Sequence, residues 1–181
     1  MFLETERLIL RKLEEDDFAD FCAFAMDDDM CRMMGRAPMT DEAAARVNFD
    51  WLKNREPRGY AIVLKETGRV VGNLTVGKVG DWLMKYAALQ GKRGASLSFS
   101  IGRAYQRRGL MSEAVSAVID QLFRLENIDF INCGHFDFNI ASRELQIKLG
   151  FEHLLTARVS FCGEENILVE RILWNKSARL I

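Results

Sequence analysis

The chain has 181 residues, of which 49% are hydrophobic, so one ordinary domain can bury a core without disulfides or a structural metal. Its formal net charge is −1, with 25 basic against 26 acidic side chains. No overall field therefore favours nucleic acid or an anionic membrane surface. We expect one domain over residues 1–181 and no direct nucleic-acid binding.

The N-terminal sequence reaches charged residues too soon for a secretory signal, and no apolar stretch is long enough to span a bilayer. The four cysteines are scattered, without a CxxC pair or a neighbouring histidine: Cys22, Cys31, Cys133 and Cys162. This spacing favours neither a disulfide framework nor a zinc site. We expect a cytoplasmic protein with no membrane association and no metal.

Apolar spacing predicts one strand and two helices in the first third of the chain. Residues 7–11 form a short apolar run flanked by charge, which is typical of a strand. A helix should begin at the acidic residues 15–17 and end, frayed and solvated, at the acidic residues 27–29. Thr40 is expected to cap a second helix that ends near Arg55. The predicted apolar face of that helix consists of Ala44, Val47, Trp51 and Leu52.

The middle of the chain predicts a hairpin followed by an irregular loop. Residues 60–64 and 70–76 are rich in β-branched side chains and flank a turn that contains Gly68, so they should pair as antiparallel strands. Residues 80–94 contain two aromatic side chains, but their apolar residues recur at neither helical nor strand spacing. They should form a loop that contacts substrate or covers the sheet.

The second half alternates helices and strands. An apolar stripe after residue 110 predicts the best helix, formed by Met111, Val115, Val118, Leu122 and Leu125. A strand over residues 130–136 and a helix that ends at Gly150 follow, and then two strands over residues 153–161 and 167–174. This order favours a mixed sheet with helices on both faces. The last two strands could close the sheet internally or pair across a homodimer.

One junction is especially informative, because a strand over residues 96–101 passes into a helix over residues 112–125. The segment between them reads Gln106-Arg107-Arg108-Gly109-Leu110-Met111. A glycine turn at a helix start leaves several backbone N–H groups unpaired at the positive end of the helix dipole. The junction therefore predicts a phosphate-binding cradle. A nucleotide-binding P-loop is not indicated, because its lysine and the GxGxxG pattern are both missing.

The cradle, with Asn139-Ile140-Ala141-Ser142 and Lys148-Leu149-Gly150-Phe151, resembles the GNAT superfamily of acetyl-CoA-dependent N-acetyltransferases. Three further segments resemble the branch that contains the ribosomal-protein N-terminal acetyltransferases: the opening residues 3–11, the Gly72-Asn73 pair and Ser112-Glu113-Ala114. The resemblance runs nearly the whole length. It implies a single α/β (α+β) domain with a mixed, mostly antiparallel central sheet, helices on both faces and a V-shaped splay between two strands.

The resemblance implies acetyl-CoA as cosubstrate. Its pyrophosphate would bind in the cradle, formed by Gln106, Arg107, Arg108, Gly109, Leu110, Met111 and Ser112. Met111 departs from the family pattern, which has a small residue there, and we expect its side chain to turn into the core. In the splay, the pantetheine arm would pair with backbone groups of Phe99, Ser100 and Ile101. The Asn139 amide would orient that arm.

Direct attack of an amine on a thioester needs a neutral amine, a polarised carbonyl and a proton for the departing thiolate. The resemblance implies Ser142 as the general acid, because Gln146 stands where many members carry a tyrosine; water is the other proton source. The base is open, since Ser96 occupies the position of the glutamate found in the branch. Glu113, His135 and an ordered water are the candidates. Glu113 could instead cap its helix, and His135 could be a hydrogen-bonded core residue.

We therefore expect an N-acetyltransferase that moves an acetyl group to a primary amine within a ternary complex. The acceptor would be a protein N-terminus or a small amine. The alternative is a catalytically silent CoA-binding sensor or interaction module, which the missing glutamate and Met111 keep open.

Overall fold

A computed structural model describes residues 2–54 and 58–176. Within this part of the chain, eight strands form one sheet: β1 (Leu3–Glu4), β2 (Leu8–Arg11), β3 (Arg58–Leu64), β4 (Arg69–Gly77), β5 (Gly94–Ile101), β6 (Phe130–Phe136), β7 (Glu152–Phe161) and β8 (Glu164–Trp174). Their order across the sheet is β1-β2-β3-β4-β5-β6-β8-β7. The predicted hairpin is confirmed as β3 and β4, with Gly68 at φ +70° in the turn.

Helices cover both faces of the sheet: α1 (Phe18–Ala25), α2 (Asp28–Met33), α3 (Glu42–Lys53), α4 (Leu110–Leu125) and α5 (Ile140–Lys148). One apolar cluster joins α4 to the inward side chains of the strands, and a second joins α1 and α3 to the opposite side. We call these sides the α4 face and the α1 face. A third, smaller cluster lies on the α1 face, where the loop after β4 packs on β6, β7 and β8.

The sheet opens between β5 and β6. These strands run parallel and pair only over Gly94–Phe130, Ala95–Ile131 and Ser96–Asn132. Beyond Ser96, β5 continues along β4 to Ile101, while β6 continues along β8 to Phe136. Thus β5 stays paired with β4, and β6 stays paired with β8, while β5 and β6 separate from each other. This separation confirms the predicted V-shaped splay.

The C-terminal hairpin closes the sheet internally. β8 inserts between β6 and β7 and pairs antiparallel with both, so β7 is left at the edge. Of the two arrangements open at the level of sequence, the pairing within the chain is the one observed.

The acidic residues after α1 do not end a frayed helix. Asp27 caps α2, because its Oδ1 accepts a hydrogen bond from Met30 N at 3.0 Å. Arg103 donates to Asp27 and to Asp29 across the chain, with Nη2 2.7 Å from Asp29 Oδ2. The prediction was wrong because it treated these carboxylates as the end of α1. Acidic side chains are unfavourable at a helix C-terminus, but they stabilise an N-terminus, and here they begin α2.

The cap and the buried face of α3 also differ from the prediction. Asp41, rather than Thr40, caps the helix by accepting from Ala44 N at 2.8 Å. Its buried residues are Ala45, Phe49 and Leu52, whereas Ala44, Val47 and Trp51 are exposed. The ring of Phe49 fixes this rotation, because it packs edge-on against Phe18 and Phe21. α3 ends at Lys53, and Arg55 lies outside the described residues.

The remaining helices follow the predicted pattern closely. Met111, Val115, Val118 and Leu122 are buried beneath α4, but Leu125, the last residue of the predicted stripe, is 79% exposed. The buried stripe therefore ends one turn earlier than the sequence predicted. Gly150 follows α5 at φ +87°, as its position after the stripe predicted. The loop over residues 80–94 is irregular apart from two short helical turns, Leu83–Lys85 and Ala87–Leu89.

Candidate active site

A band of polar side chains crosses the α1 face beside the splay, between the two apolar clusters of that face. Strand register places all of its members on this side of the sheet: Asn73, Thr75, Ser98, Ser100, Asn132 and Glu170. We call this set the polar strip. All except Ser98 are buried. Burying so many polar groups costs free energy unless they are paired or have a ligand to bind, so the strip marks a candidate site.

Glu170 and Asn132 form the centre of the polar strip. Asn132 Nδ2 donates to Glu170 Oε2 at 2.9 Å, while Asn132 Oδ1 is buried without a partner among the described residues. Burial raises the pKa of the Glu170 carboxyl, and the hydrogen bond from Asn132 offsets only part of this effect. A carboxylate with a raised pKa can accept a proton near neutral pH.

Gly134 makes room for that carboxylate. It pairs with Glu170 across β6 and β8, and a Cβ at this position would lie only 2.8 Å from Glu170 Oε1. Glu170 therefore lies against bare backbone on β6, two residues beyond the last β5–β6 pair at Asn132. This arrangement puts the only charged member of the polar strip beside the open wedge of the splay.

The exposed edge of β5 provides backbone groups to the wedge. Gly102 N donates to Val71 O of β4 at 2.8 Å, and alternation along the strand then turns the N–H groups of Phe99 and Ile101 to the opposite edge. The backbone N–H and C=O of Ser100 face β4 instead, and its hydroxyl donates to Asn73 Oδ1 at 2.6 Å. Gln106 Nε2 donates to Ile101 O at 3.2 Å, so that carbonyl is already engaged. Phe99 and the Ile101 N–H group are thus the best placed to pair with an extended ligand.

The predicted cradle is the turn that leads into α4. Gly109 is the N-cap at φ +78° and Arg107 has φ +59°, so two left-handed residues bend the chain sharply. The first intrahelical bond is Glu113 N to Gly109 O, and no side chain caps the described helix start. The N–H groups of Leu110, Met111 and Ser112 are therefore left for a ligand.

The side chains of the cradle divide between the core and the surface. Met111 is buried in the cluster beneath α4, so the expectation that its side chain turns away from the cradle is confirmed. Arg107 and Arg108 are exposed, with the Arg108 guanidinium 5.8 Å from the centre of the Tyr105 ring. Both arginines remain available to an anion.

Glu113 lies at the cradle but holds the N-terminal segment. Its Oε1 accepts from Thr5 Oγ1 at 2.5 Å and from Arg7 N at 2.8 Å, and its Oε2 accepts from Arg7 Nε at 2.7 Å. Burial raises the pKa of Glu113, but the hydrogen bonds from Thr5 and Arg7 together lower it below the ordinary value. A carboxylate bound in this way is a poor base, and it does not cap α4 as the sequence suggested.

His135 likewise has its ring nitrogens engaged. It lies on the α4 face, 4% exposed, with Nδ1 2.9 Å from Phe136 O and Nε2 3.4 Å from the donor Arg171 Nε. Burial, and then the charge of Arg171, lower the pKa of the imidazole. These contacts suit a neutral core histidine and leave neither nitrogen for an amine.

Ser142 lies in the first turn of α5, and its hydroxyl accepts from Gln146 Nε2 at 2.9 Å. Gln146 is 1% exposed, and its Oε1 has no partner among the described residues. Asn139 caps the helix by accepting from Ser142 N at 3.1 Å and donates through Nδ2 to Met33 O at 3.2 Å. Asn139 therefore ties α5 to α2, and only one amide hydrogen remains for the predicted contact with a pantetheine arm.

Glu170 is not among the site residues predicted from the sequence. A signal was present, because Glu170 and Arg171 interrupt an apolar run from residue 167 to residue 174 that otherwise suits a buried strand. A charge in such a run is expensive, which makes it a candidate for function. Its position against Gly134 depends on strand register, which composition does not reveal.

A family model for the acetyltransferase (GNAT) domain matches residues 7–152. The chain belongs to the GNAT acetyltransferase family. A curated relative, the uncharacterized N-acetyltransferase p20 of Bacillus licheniformis, is 29% identical over 154 residues, which are 83% of this chain and 82% of the relative. Transfer of an acetyl group to an amine is general for this family.

Two solved structures illustrate the shared GNAT fold. An acetyltransferase from Bacillus anthracis has a TM-score of 0.84 at 19% identity, covering 97% of this chain and 99% of its own. The ribosomal-protein-S5-alanine acetyltransferase of Vibrio fischeri has a TM-score of 0.74 at 16% identity and covers 97% of both chains. The predicted family resemblance, fold class and enzyme class are confirmed.

Residues 2–54 and 58–176 contain no helix long and apolar enough to cross a membrane. They also contain no group of three histidine, cysteine or acidic side chains that could hold a metal ion.

Proposed function

We propose that this GNAT protein is an acetyl-CoA-dependent N-acetyltransferase that acetylates a primary amine by direct attack within a ternary complex. The observation that carries the proposal is the splay beyond Ser96–Asn132, which opens directly beside the buried carboxylate of Glu170. A donor in the wedge and an amine on the polar strip would meet at this point. Donor and acceptor then need no covalent enzyme intermediate.

The residues present fit acetyl-CoA as the donor. The unpaired N–H groups of residues 110–112 suit a pyrophosphate, with Arg107 and Arg108 free to add charge-assisted contacts. Phe99 and Ile101 turn backbone groups into the wedge, where an extended pantetheine arm could pair as a strand does.

Glu170 is the group we assign to the amine proton. The acceptor would approach from the α1 face as an ammonium ion and lose one proton to Glu170, directly or through an ordered water. The lone pair of the resulting neutral amine would then form the C–N bond at the thioester carbonyl. Collapse of the tetrahedral intermediate would break the C–S bond, and the second proton on the nitrogen, like the one held by Glu170, would pass to solvent. This assignment rests on the burial and raised pKa of Glu170, and it takes the place of Glu113 and His135, whose polar atoms are engaged.

Ser142 is the group we assign to the departing thiolate. Because its Oγ accepts from Gln146 Nε2, its own hydrogen is free to be donated. The proton would pass from Ser142 to the sulfur as the C–S bond breaks, and solvent would restore the hydroxyl. Water remains the other source of this proton.

The acceptor is proposed at the level of a primary amine, either a protein N-terminus or a small amine. A test would mix the purified protein with acetyl-CoA and a panel of N-terminal peptides, polyamines and small amines, and follow thiol release. Amine-dependent release supports the enzyme. If CoA binds in calorimetry while no amine gives release, the silent CoA-binding sensor replaces it.

The cradle has its own test. Gly109→Glu places a side chain and a negative charge among the free N–H groups and should abolish CoA binding. Gly163→Glu is a matched control, because Gly163 has a similar φ of +80° in the open turn between β7 and β8. Unchanged CoA affinity in Gly109→Glu, measured by calorimetry, would overturn the cradle assignment.

The proposed setting is the cytoplasm. Cys22, Cys31, Cys133 and Cys162 are all free thiols, which is typical of a reducing compartment. A homodimer would use the open edge of β7, and sedimentation at two protein concentrations tests for it.

A further inference from the structure

Arg7 lies between β1 and β2 and reaches across to the cradle. Its Nη1 donates to Arg108 O at 3.0 Å, while its Nη2 and Nε both lie 2.7 Å from Glu113 Oε2. The guanidinium therefore connects the carbonyl at the tip of the turn to a carboxylate in the first turn of α4. A Cβ on Gly109 would lie 3.5 Å from Arg7 Nη2, so Arg7 lies alongside the cradle glycine as well.

The contact with Arg108 O fixes the direction of a backbone N–H group. A trans peptide is planar, so the C=O of Arg108 and the N–H of Gly109 point in opposite directions. When Arg7 holds that carbonyl on one side, the Gly109 N–H must point to the other. Glycine at φ +78° could otherwise let this peptide plane rotate, because it lacks the side chain that restricts other residues.

The positive charge of Arg7 is balanced by a neighbouring carboxylate. Its guanidinium forms an ion pair with Glu113, so the two side chains together add little net electrostatic field to the cradle. Without the Arg7 side chain, however, the Glu113 carboxylate would have no cation beside it in the first turn of α4, where its charge would repel a phosphate. Arg7 therefore has two separable effects, orientation of the 108–109 peptide and neutralisation of Glu113.

We propose that Arg7 is a positioning residue for the phosphate groups of the acyl-CoA donor. This inference rests on the proposed function and extends its cradle to the N-terminal segment. Arg7 turns the Gly109 N–H toward the diphosphate and neutralises the carboxylate beside it. It takes no part in the chemistry at the thioester.

The test compares two donors that differ in their phosphates. Arg7→Gln should raise KM for acetyl-CoA by about tenfold or more, which is the change in affinity expected for the loss of one charge-assisted hydrogen bond. The value of kcat should stay within about twofold of wild type. S-acetyl-pantetheine has the same reacting end but no phosphate, so its kcat/KM should not change. An equal loss with both donors, or an unchanged KM for acetyl-CoA, would overturn the inference.

Three further variants separate orientation from charge and from stability. Arg7→Gln combined with Glu113→Gln removes the repulsion, so a full return of KM would show that orientation contributes nothing. Thr5→Val removes the hydrogen bond from Thr5 to Glu113 but keeps the hydrogen bond from Arg7 to Arg108 O. It should therefore lower the unfolding temperature without raising KM for acetyl-CoA. Arg124→Gln breaks an exposed ion pair at the other end of α4 and should change neither the unfolding temperature nor KM.

Failure of the proposed function has a different signature. If the wild-type protein transfers acetyl to no amine, calorimetry with CoA takes over the comparison of wild type with Arg7→Gln. Weaker binding of CoA by the variant, with equal binding of pantetheine, supports the role of Arg7. Equal CoA affinities, or no CoA binding by the wild type, overturn it.

Discussion

Gln146 donates from Nε2 to Ser142 Oγ over 2.9 Å, one turn apart on α5. The amide fills an acceptor position of the hydroxyl, so the hydroxyl hydrogen must point elsewhere. In many members of the family, a tyrosine at the position of Gln146 is expected to be the acid. Here the amide would orient a neighbouring serine instead.

Replacing Ser142 should affect the chemical step. We expect Ser142→Ala to lower kcat by about 10- to 100-fold, because the thiolate would lose its proposed proton donor, with KM for acetyl-CoA nearly unchanged. Steady-state kinetics with a saturating amine measures both constants. Wild-type kcat in this variant would assign the proton to water.

Gln146 should act only through Ser142. Gln146→Leu is expected to lower kcat by about threefold to tenfold, and the variant that combines it with Ser142→Ala should be no slower than Ser142→Ala alone. A double-mutant cycle on kcat tests this non-additivity. Multiplicative losses would mean that Gln146 has a separate role, for instance through its unpartnered Oε1.

Glu170→Gln should separate activity from stability. We expect kcat/KM to fall by about 10²- to 10³-fold, because the amide cannot accept the amine proton. The folded-state pKa of Glu170 lies above the unfolded value, so the native protein loses stability as pH rises between those two values. The variant should lack this loss and unfold at a higher temperature at neutral pH. Thermal unfolding over a pH series, alongside kinetics, measures both effects.

Gly134→Ala should displace the carboxylate without removing it. The added Cβ would lie 2.8 Å from Glu170 Oε1, so the side chain must move away from β6. We expect kcat to fall by about tenfold or more while CoA affinity stays constant, because small displacements of a reacting group are costly. Full activity would show that the position of Glu170 is not critical.

His135→Gln should affect acid stability rather than catalysis. The folded-state pKa of His135 is lowered, so the unfolded chain binds the proton more readily and the native protein loses stability as pH falls through the unfolded value. The variant should lack this loss, with kcat within about threefold of wild type. A large drop in kcat and loss of the acidic limb of the pH–rate profile would restore His135 as the base.

Local patterns predicted the elements that they specify directly. The hairpin over β3 and β4, the α4 stripe up to Leu122 and the glycine turn before α4 each depend on neighbours in sequence, and the structure confirms these elements. The buried face of α3 was predicted wrongly because two overlapping apolar stripes were available. The contacts of Phe49 with Phe18 and Phe21 determine which of the two stripes is buried.

The site depends on relationships that no local pattern contains. Thr5 and Glu113 are 108 residues apart, and Asn132 and Glu170 are 38 apart, yet each pair is joined by a hydrogen bond. Strand register places Glu170 over Gly134, and a shift by one residue would turn the carboxylate to the other face. The local sequence therefore sufficed to predict the proposed cradle, whereas the proposed role of Glu170 required the assembled sheet.

The insertion of β8 between β6 and β7 also bears on how the protein is made. The cradle, near residue 109, leaves the ribosome well before Glu170, which lies on the last strand of the sheet. Until β8 is synthesised, β6 has only its three-residue pairing with β5, and pairings distant in sequence form slowly. On the proposed assignment, a growing chain would complete the cradle first, and it would become competent for transfer only when β8 brings Glu170 into place.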